Sequence, residues 1–172
     1  FAKSLEVANM GLKKNPRHAA FNRLAMYNNT DLKRFEEALK AADVFFNECD
    51  KADYSYLDYM YYGHLLEELK KYDEAVGQYE KAVELDPTKT DLYKNISSAY
   101  EQKNDYKKAI GAYHKYYSSL EKEKQTPDLQ FQLGRLYYGA GTQPDSLTIN
   151  AEERKQALMS ADSVFQVISE AA

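Results

Sequence analysis

Between residues 56 and 89 the chain reads YLDYMYYGHLLEELKKYDEAVGQYEKAVELDPTK, and this stretch carries a helical apolar period twice before a proline. Tyr59, Tyr62, Gly63 and Leu66 are spaced i, i+3, i+4 and i+7, which is the stripe of one buried helix face. Ala75, Tyr79 and Ala82 form a second stripe. Asp86-Pro87 closes it, because proline has no N–H for the helical ladder and its ring clashes with the preceding turn. A helix pair this short cannot bury its apolar face alone, so the pattern demands stacked hairpins in place of one conventional core. With only 7 Gly and 4 Pro in 172 residues, and no alternating β-branched run, the chain is expected to be all-α.

Counted from Tyr56 as position 1, large Tyr59, small Gly63, Ala75 and Ala82, aromatic Tyr79 and Pro87 stand at positions 4, 8, 20, 27, 24 and 32. In these residues the stretch resembles the 34-residue tetratricopeptide (TPR) repeat. The resemblance implies a right-handed α-solenoid of antiparallel helix pairs, a TPR superhelix of about nine helices, with 1–172 as a single array. Residues 1–16, with Leu5, Ala8, Leu12 and Asn15-Pro16, read as the second helix of a truncated repeat, so the chain is expected to be a fragment of a longer array. Residues 18–50 form the next repeat. With His18 as position 1, Phe21, Leu24 and Ala25 take positions 4, 7 and 8, provided the turn NNTDLK holds one extra residue. Its second helix inverts the size pattern: Ala42 falls where Tyr79 does, and Phe45 where Ala82 does. After a linker at 51–55 and the repeat 56–89 comes 90–123, with Tyr93, Ile96, Ser97, Ala109 and Tyr113 in register. The last repeat, 127–172, opens on Thr126-Pro127, a capping residue followed by proline at the first helical position. Gly139-Ala140-Gly141 is expected to break its first helix, and Asn150 to cap its second, with an insertion at about 141–155.

Net charge is −4, and the basic pairs Lys13-Lys14, Lys70-Lys71 and Lys107-Lys108 sit beside acids at helix ends. That pattern suits helix termini and argues against nucleic acid as a partner, which needs clustered cations. No apolar run is long enough for membrane insertion, so a soluble chain is expected, its compartment unassigned. The single Cys49 forms no internal disulfide. His64 with Glu67 or Glu68 offers two metal ligands and nothing completes a site, so neither metal nor cofactor is expected. No nucleophile motif or phosphate loop is present, and an enzyme is not expected. The sequons Asn28-Asn29-Thr30 and Asn95-Ile96-Ser97 fall on helices and read as chance.

In the TPR family the first helices line a concave groove, and positions 2, 5, 6 and 9 meet the partner. By position, the resemblance places Asn22, Arg23, Met26, Met60, Tyr61, His64, Lys94, Asn95, Ser98, Phe131, Gln132 and Arg135 there, with Leu57, Asp91 and Asp128 at position 2. Tyr59 and Tyr62 belong to the core by spacing. Asp91 and Asp128 stand where a lysine would grip a chaperone's C-terminal carboxylate, so that ligand is not expected. The expected function is a non-catalytic scaffold binding a peptide segment or helix of a partner protein of unknown identity. The alternative is a structural or oligomerisation module, its end helices packing on further repeats or on a second copy.

Ala75 is placed where the two helices of one hairpin cross. Ala75→Leu is therefore expected to overpack the crossing and cost about 1–3 kcal/mol, read as a lowered midpoint in chemical denaturation.

Overall fold

The computed structural model describes residues 2–49, 53–144 and 150–170. Among them are nine α-helices and no strand: α1 Ala2–Lys14, α2 Ala19–Asp31, α3 Phe35–Asn47, α4 Tyr56–Glu68, α5 Tyr72–Leu85, α6 Leu92–Gln102, α7 Tyr106–Ser119, α8 Pro127–Thr142 and α9 Ala151–Glu170. The helices pack as consecutive pairs, α2 on α3, α4 on α5, α6 on α7 and α8 on α9, with α1 against α2. The chain forms two compact units, Phe1–Thr88 and Lys89–Ala172. Part of the expected linker (51–52) and the middle of the expected insertion (145–149) lie outside the described residues.

One turn closes the α2/α3, α4/α5 and α6/α7 pairs. In each, a single residue takes the left-handed conformation: Lys33 (φ 57°), Lys70 (φ 60°) and Asn104 (φ 63°). The next backbone N–H reaches back to a carbonyl near the first helix's end, Arg34 to Asn29, Lys71 to Leu66 and Asp105 to Tyr100, each at 2.8 Å. This satisfies helix-terminal carbonyls that would otherwise be orphaned. The equivalence also corrects the sequence alignment of α2. Asn29 matches Leu66, so the turn holds no extra residue and the repeat pattern begins at Ala19, not His18. Met26, not Ala25, then stands where Gly63 and Ser97 stand.

That shift explains the inverted sizes in α3. In the α4/α5 pair a Cβ on Gly63 would lie 2.7 Å from the Tyr79 ring, so the aromatic owes its place to the missing side chain. In α2/α3 the exchange is complementary: large Met26 replaces the glycine and small Ala42 the tyrosine. Both are fully buried in one cluster with Phe45 and Ala38. Total volume is kept while the bulk changes helix.

The expected helix break at Gly139-Ala140-Gly141 does not occur, and α8 continues to Thr142. These glycines are close-approach positions on a continuous helix. A Cβ on Gly139 would run into the Tyr106 ring, and one on Gly141 into Leu158, while Ala140 between them is buried. The next helix is capped as expected: Asn150 Oδ1 accepts from the Glu153 N–H at 2.9 Å, and Glu153 Oε2 accepts from the Asn150 N–H at 3.0 Å.

α2 and α4 are fastened by a buried carboxylate. Asp58, in the first turn of α4, is fully buried and accepts from five donors. Arg23 donates from Nε to Oδ1 at 2.8 Å and from Nη2 to Oδ2 at 3.0 Å, and Tyr27 donates its hydroxyl to Oδ1 at 2.6 Å. The backbone N–H and hydroxyl of Ser55 donate to Oδ2 at 2.7 and 3.1 Å. A buried charge is tolerable only when so paired, and removing one partner leaves the other uncompensated. Asp58→Ala is expected to cost about 3–5 kcal/mol, and Asp58→Asn less, measured by urea denaturation.

Candidate partner-binding site

In the first unit the expected groove residues divide sharply. Met26 is fully buried and cannot meet a partner, a consequence of the one-residue shift in α2. Arg23 is committed elsewhere: besides Asp58, it donates to the Asp53 carbonyl at 2.6 Å, and its guanidinium carbon lies 5.0 Å from the Phe45 ring centre. In the corrected register Leu24, exposed, and Tyr27, half-buried, stand at those positions instead. Tyr27 stacks on Tyr61 with ring centres 4.2 Å apart, and the Tyr61 hydroxyl lies 3.5 Å from Asp31. Burial, with the Asp58 carboxylate beside it, holds the Tyr27 phenol protonated well above the ordinary tyrosine range. Met60 is half-buried, and His64 is exposed at 4.0 Å from Glu68. Tyr59 and Tyr62 are half-buried, each against the Phe46 ring.

In the second unit four expected residues converge. Lys94 and Ser98 on α6 and Gln132 and Arg135 on α8 line one recess of about 340 Å³, together with Glu101, Leu129 and Tyr113. A fork of two bonds ties Arg135 to Glu101 across it, one of them 2.9 Å long, and Arg135 Nε donates to Gln132 Oε1 at 3.0 Å. Hydrogen bonding to Glu101 strengthens the guanidinium's hold on its proton. Lys94 Nζ sits 5.2 Å from the Tyr116 ring centre. Tyr113 donates its hydroxyl to the Leu129 carbonyl at 3.0 Å, fixing α7 to α8 at the recess floor. Asn95, half-buried, and Phe131, exposed with its ring 5.6 Å from Phe165, are not among the lining residues.

Sequence reasoning missed Asp58, Glu101, Tyr113 and Leu129 as constituents of these surfaces. A usable signal was present in the charge spacing. Glu101 and Arg135 are 34 residues apart, one repeat length, and Arg23 and Asp58 are 35 apart. Opposite charges one repeat apart fall on equivalent helices of neighbouring hairpins.

Helix pairs closed by a recurring turn, with small residues at their crossings, define an α-helical repeat protein. Residues 63–104 match the family model described as TPR repeat. The chain is similar over 98% of its length to the C-terminal part of a TPR repeat-containing protein from Cytophaga hutchinsonii, at 23% identity and a TM-score of 0.72, and spans 58% of that chain. It is similar over 96% of its length to MamA, at 17% identity and a TM-score of 0.68, covering 89% of that chain. It also matches a chain in the structure of Naa15/Naa10 bound to HypK-THB, at 20% identity and a TM-score of 0.60, covering 98% of this chain and 22% of that one. No curated protein matches the sequence. The chain therefore has the tetratricopeptide-repeat fold, one that typically serves as a non-catalytic scaffold for protein partners. Among the described residues no helix is long and apolar enough to cross a membrane.

Tyr113 supplies a pH test of the recess floor. Burial pushes its phenol from 10.0 up to about 12. The folded state thus holds this proton more tightly than the unfolded chain. The contribution is complete below pH 10 and is lost as pH rises through about 12. Tyr113→Phe is expected to remove one late-ionising phenol from the ultraviolet titration and to flatten the alkaline loss of stability.

Proposed function

We propose that the chain is a non-catalytic protein-interaction scaffold that holds an extended segment of a partner protein along its first helices, in the recess between α6 and α8. The observation that carries this reading is the convergence of Lys94, Ser98, Gln132 and Arg135 on one open recess with an apolar floor at Leu129 and Tyr113. Hydroxyl and amide side chains match the donors and acceptors of a peptide main chain, while the floor takes one apolar side chain. Lys94 and Arg135 are offset by Glu101 inside the recess, by Asp91 at the cap of α6 and by Asp128 in the first turn of α8, so the surface suits a segment of mixed charge over a strongly acidic one. The Naa15/Naa10 structure, bound to HypK-THB, supports partner binding as a use of this fold.

Self-association is the second reading. It is favoured by exposed apolar side chains on α1 (Val7, Met10) and α9 (Met159, Val167). Light scattering over a concentration series separates the two, since Met10→Lys with Val167→Lys is expected to abolish any dimer and leave partner capture intact.

The test of the recess is capture of a partner by the intact protein and by two variants. Gln132→Ala and Arg135→Ala are each expected to weaken capture about fivefold or more, as truncation of a central interface side chain does. Equal capture by both variants and the unaltered protein would remove the recess from consideration.

A further inference from the structure

A second cleft lies in the first unit, lined by residues of α1, α2 and α3. Its volume is about 360 Å³, and its floor is formed by Asn22, Ala25 and Asn29 of α2. Asparagine is an unexpected floor. By the shared turn, Asn29 occupies the place of Leu66 in α4, which is buried, and of Tyr100 in α6, which packs against the core.

Six polar or charged residues are buried among the described residues: Asn22, Asn28, Asn29, Thr30, Asp58 and Ser97. Five of them spend their side-chain groups inside the protein. Asn22 donates to the carbonyls of Pro16 and His18, Asn28 to Ser4 Oγ and the Leu24 carbonyl, Thr30 to the Met26 carbonyl and Ser97 to the Ala109 carbonyl, while Asp58 is held as described. Asn29 is the exception. It is 6% exposed, its amide makes no hydrogen bond among the described residues, and it lines the cleft. Its amide atoms are not sealed off from the cleft either. The amide faces the open cleft, where water or a ligand pairs with it, and packing within the fold makes no use of it.

We propose that this cleft is a docking site for an extended, acidic segment of a partner protein, with Asn29 pairing to the segment's main chain. A primary amide presents one acceptor and one donor side by side, which matches the N–H and C=O of a peptide chain passing over it. Leu5 stands at the same end of the cleft as Asn29, since Ser4 is bonded to Asn28, and it seats an aliphatic side chain. The rim supplies the charge selectivity. Arg34 and Lys40 line it, neither with a carboxylate in ion-pair range among the described residues, against a single lining acid, Glu37, which leaves the rim one positive charge in excess. The site is separate from the recess between α6 and α8 and does not depend on it.

The probe is a displayed library of random linear twelve-residue peptides, selected on the intact protein and counter-selected on Asn29→Leu. This variant installs the residue found at position 66, so it is expected to fold with an unchanged or higher melting temperature. Selected peptides are expected to carry an acidic residue and to bind Asn29→Leu at least tenfold more weakly, the scale of a lost buried hydrogen-bond pair. Arg34→Glu is expected to weaken them similarly, and Arg135→Ala to leave them unchanged. On peptide addition the side-chain NH₂ resonances of Asn29 are expected to shift. The proposal is overturned if selection returns no peptide sensitive to Asn29→Leu, or if the Asn29 resonances stay fixed, which would identify a merely hydrated cleft. It is equally overturned if Asn29→Leu lowers the melting temperature, which would show that the amide serves the fold itself.

Discussion

Two helices of a hairpin can approach closely only if, at their crossing, at least one of them carries a small side chain or none, and the rest of this architecture follows from that constraint. Gly63 yields to Tyr79 in the α4/α5 pair, and the aromatic ring becomes the filler of the space so created. The α2/α3 pair reaches the same result with the bulk on the opposite helix, Met26 over Ala42. The requirement is thus on summed volume at the crossing, not on the identity of the residue at either position. Because the crossing fixes each pair's geometry, it also fixes which side chains turn outward and are available to a partner.

What the sequence made legible was whatever the helical period and the repeat length control. The helices, their pairing and the capping of α9 by Asn150 could be read from spacing and terminal chemistry alone. The register of α2 could not. An apolar stripe with Phe21, Leu24 and Ala25 satisfies the period as well as one built on Ala25 and Met26, and only the left-handed turn at Lys33 decides between them. Gly139 and Gly141 misled for a related reason. Glycine marks both a helix end and a tight helix contact, and these two lie under Tyr106 and Leu158, side chains 33 and 17 residues away in the chain.

The candidate site was half legible for an equally physical reason. Position in a repeat says which way a Cα–Cβ bond points, and Lys94, Ser98, Gln132 and Arg135, read as facing one way, line one recess. It says nothing about what a side chain meets on arrival. Arg23 points the same way and is consumed by Asp58, a residue whose importance lies in a burial that no local pattern announces. The asparagines of α2 show the same limit: three look alike in sequence, and only their surroundings separate two that brace the helix from one that does not.

The Arg23–Asp58 pair bears on how the first unit responds to force. Within a hairpin, resistance is spread along two packed helices and a hydrogen-bonded turn. Between α2 and α4 it is concentrated, because one fully buried carboxylate gathers a guanidinium, a phenol and the cap of the following helix. A spread contact yields gradually under load, whereas a concentrated one holds and then releases at once. Pulled along its length, this unit would behave as stiff links with a rivet at one joint, and its extension trace would carry a discrete step where Asp58 is exposed to water.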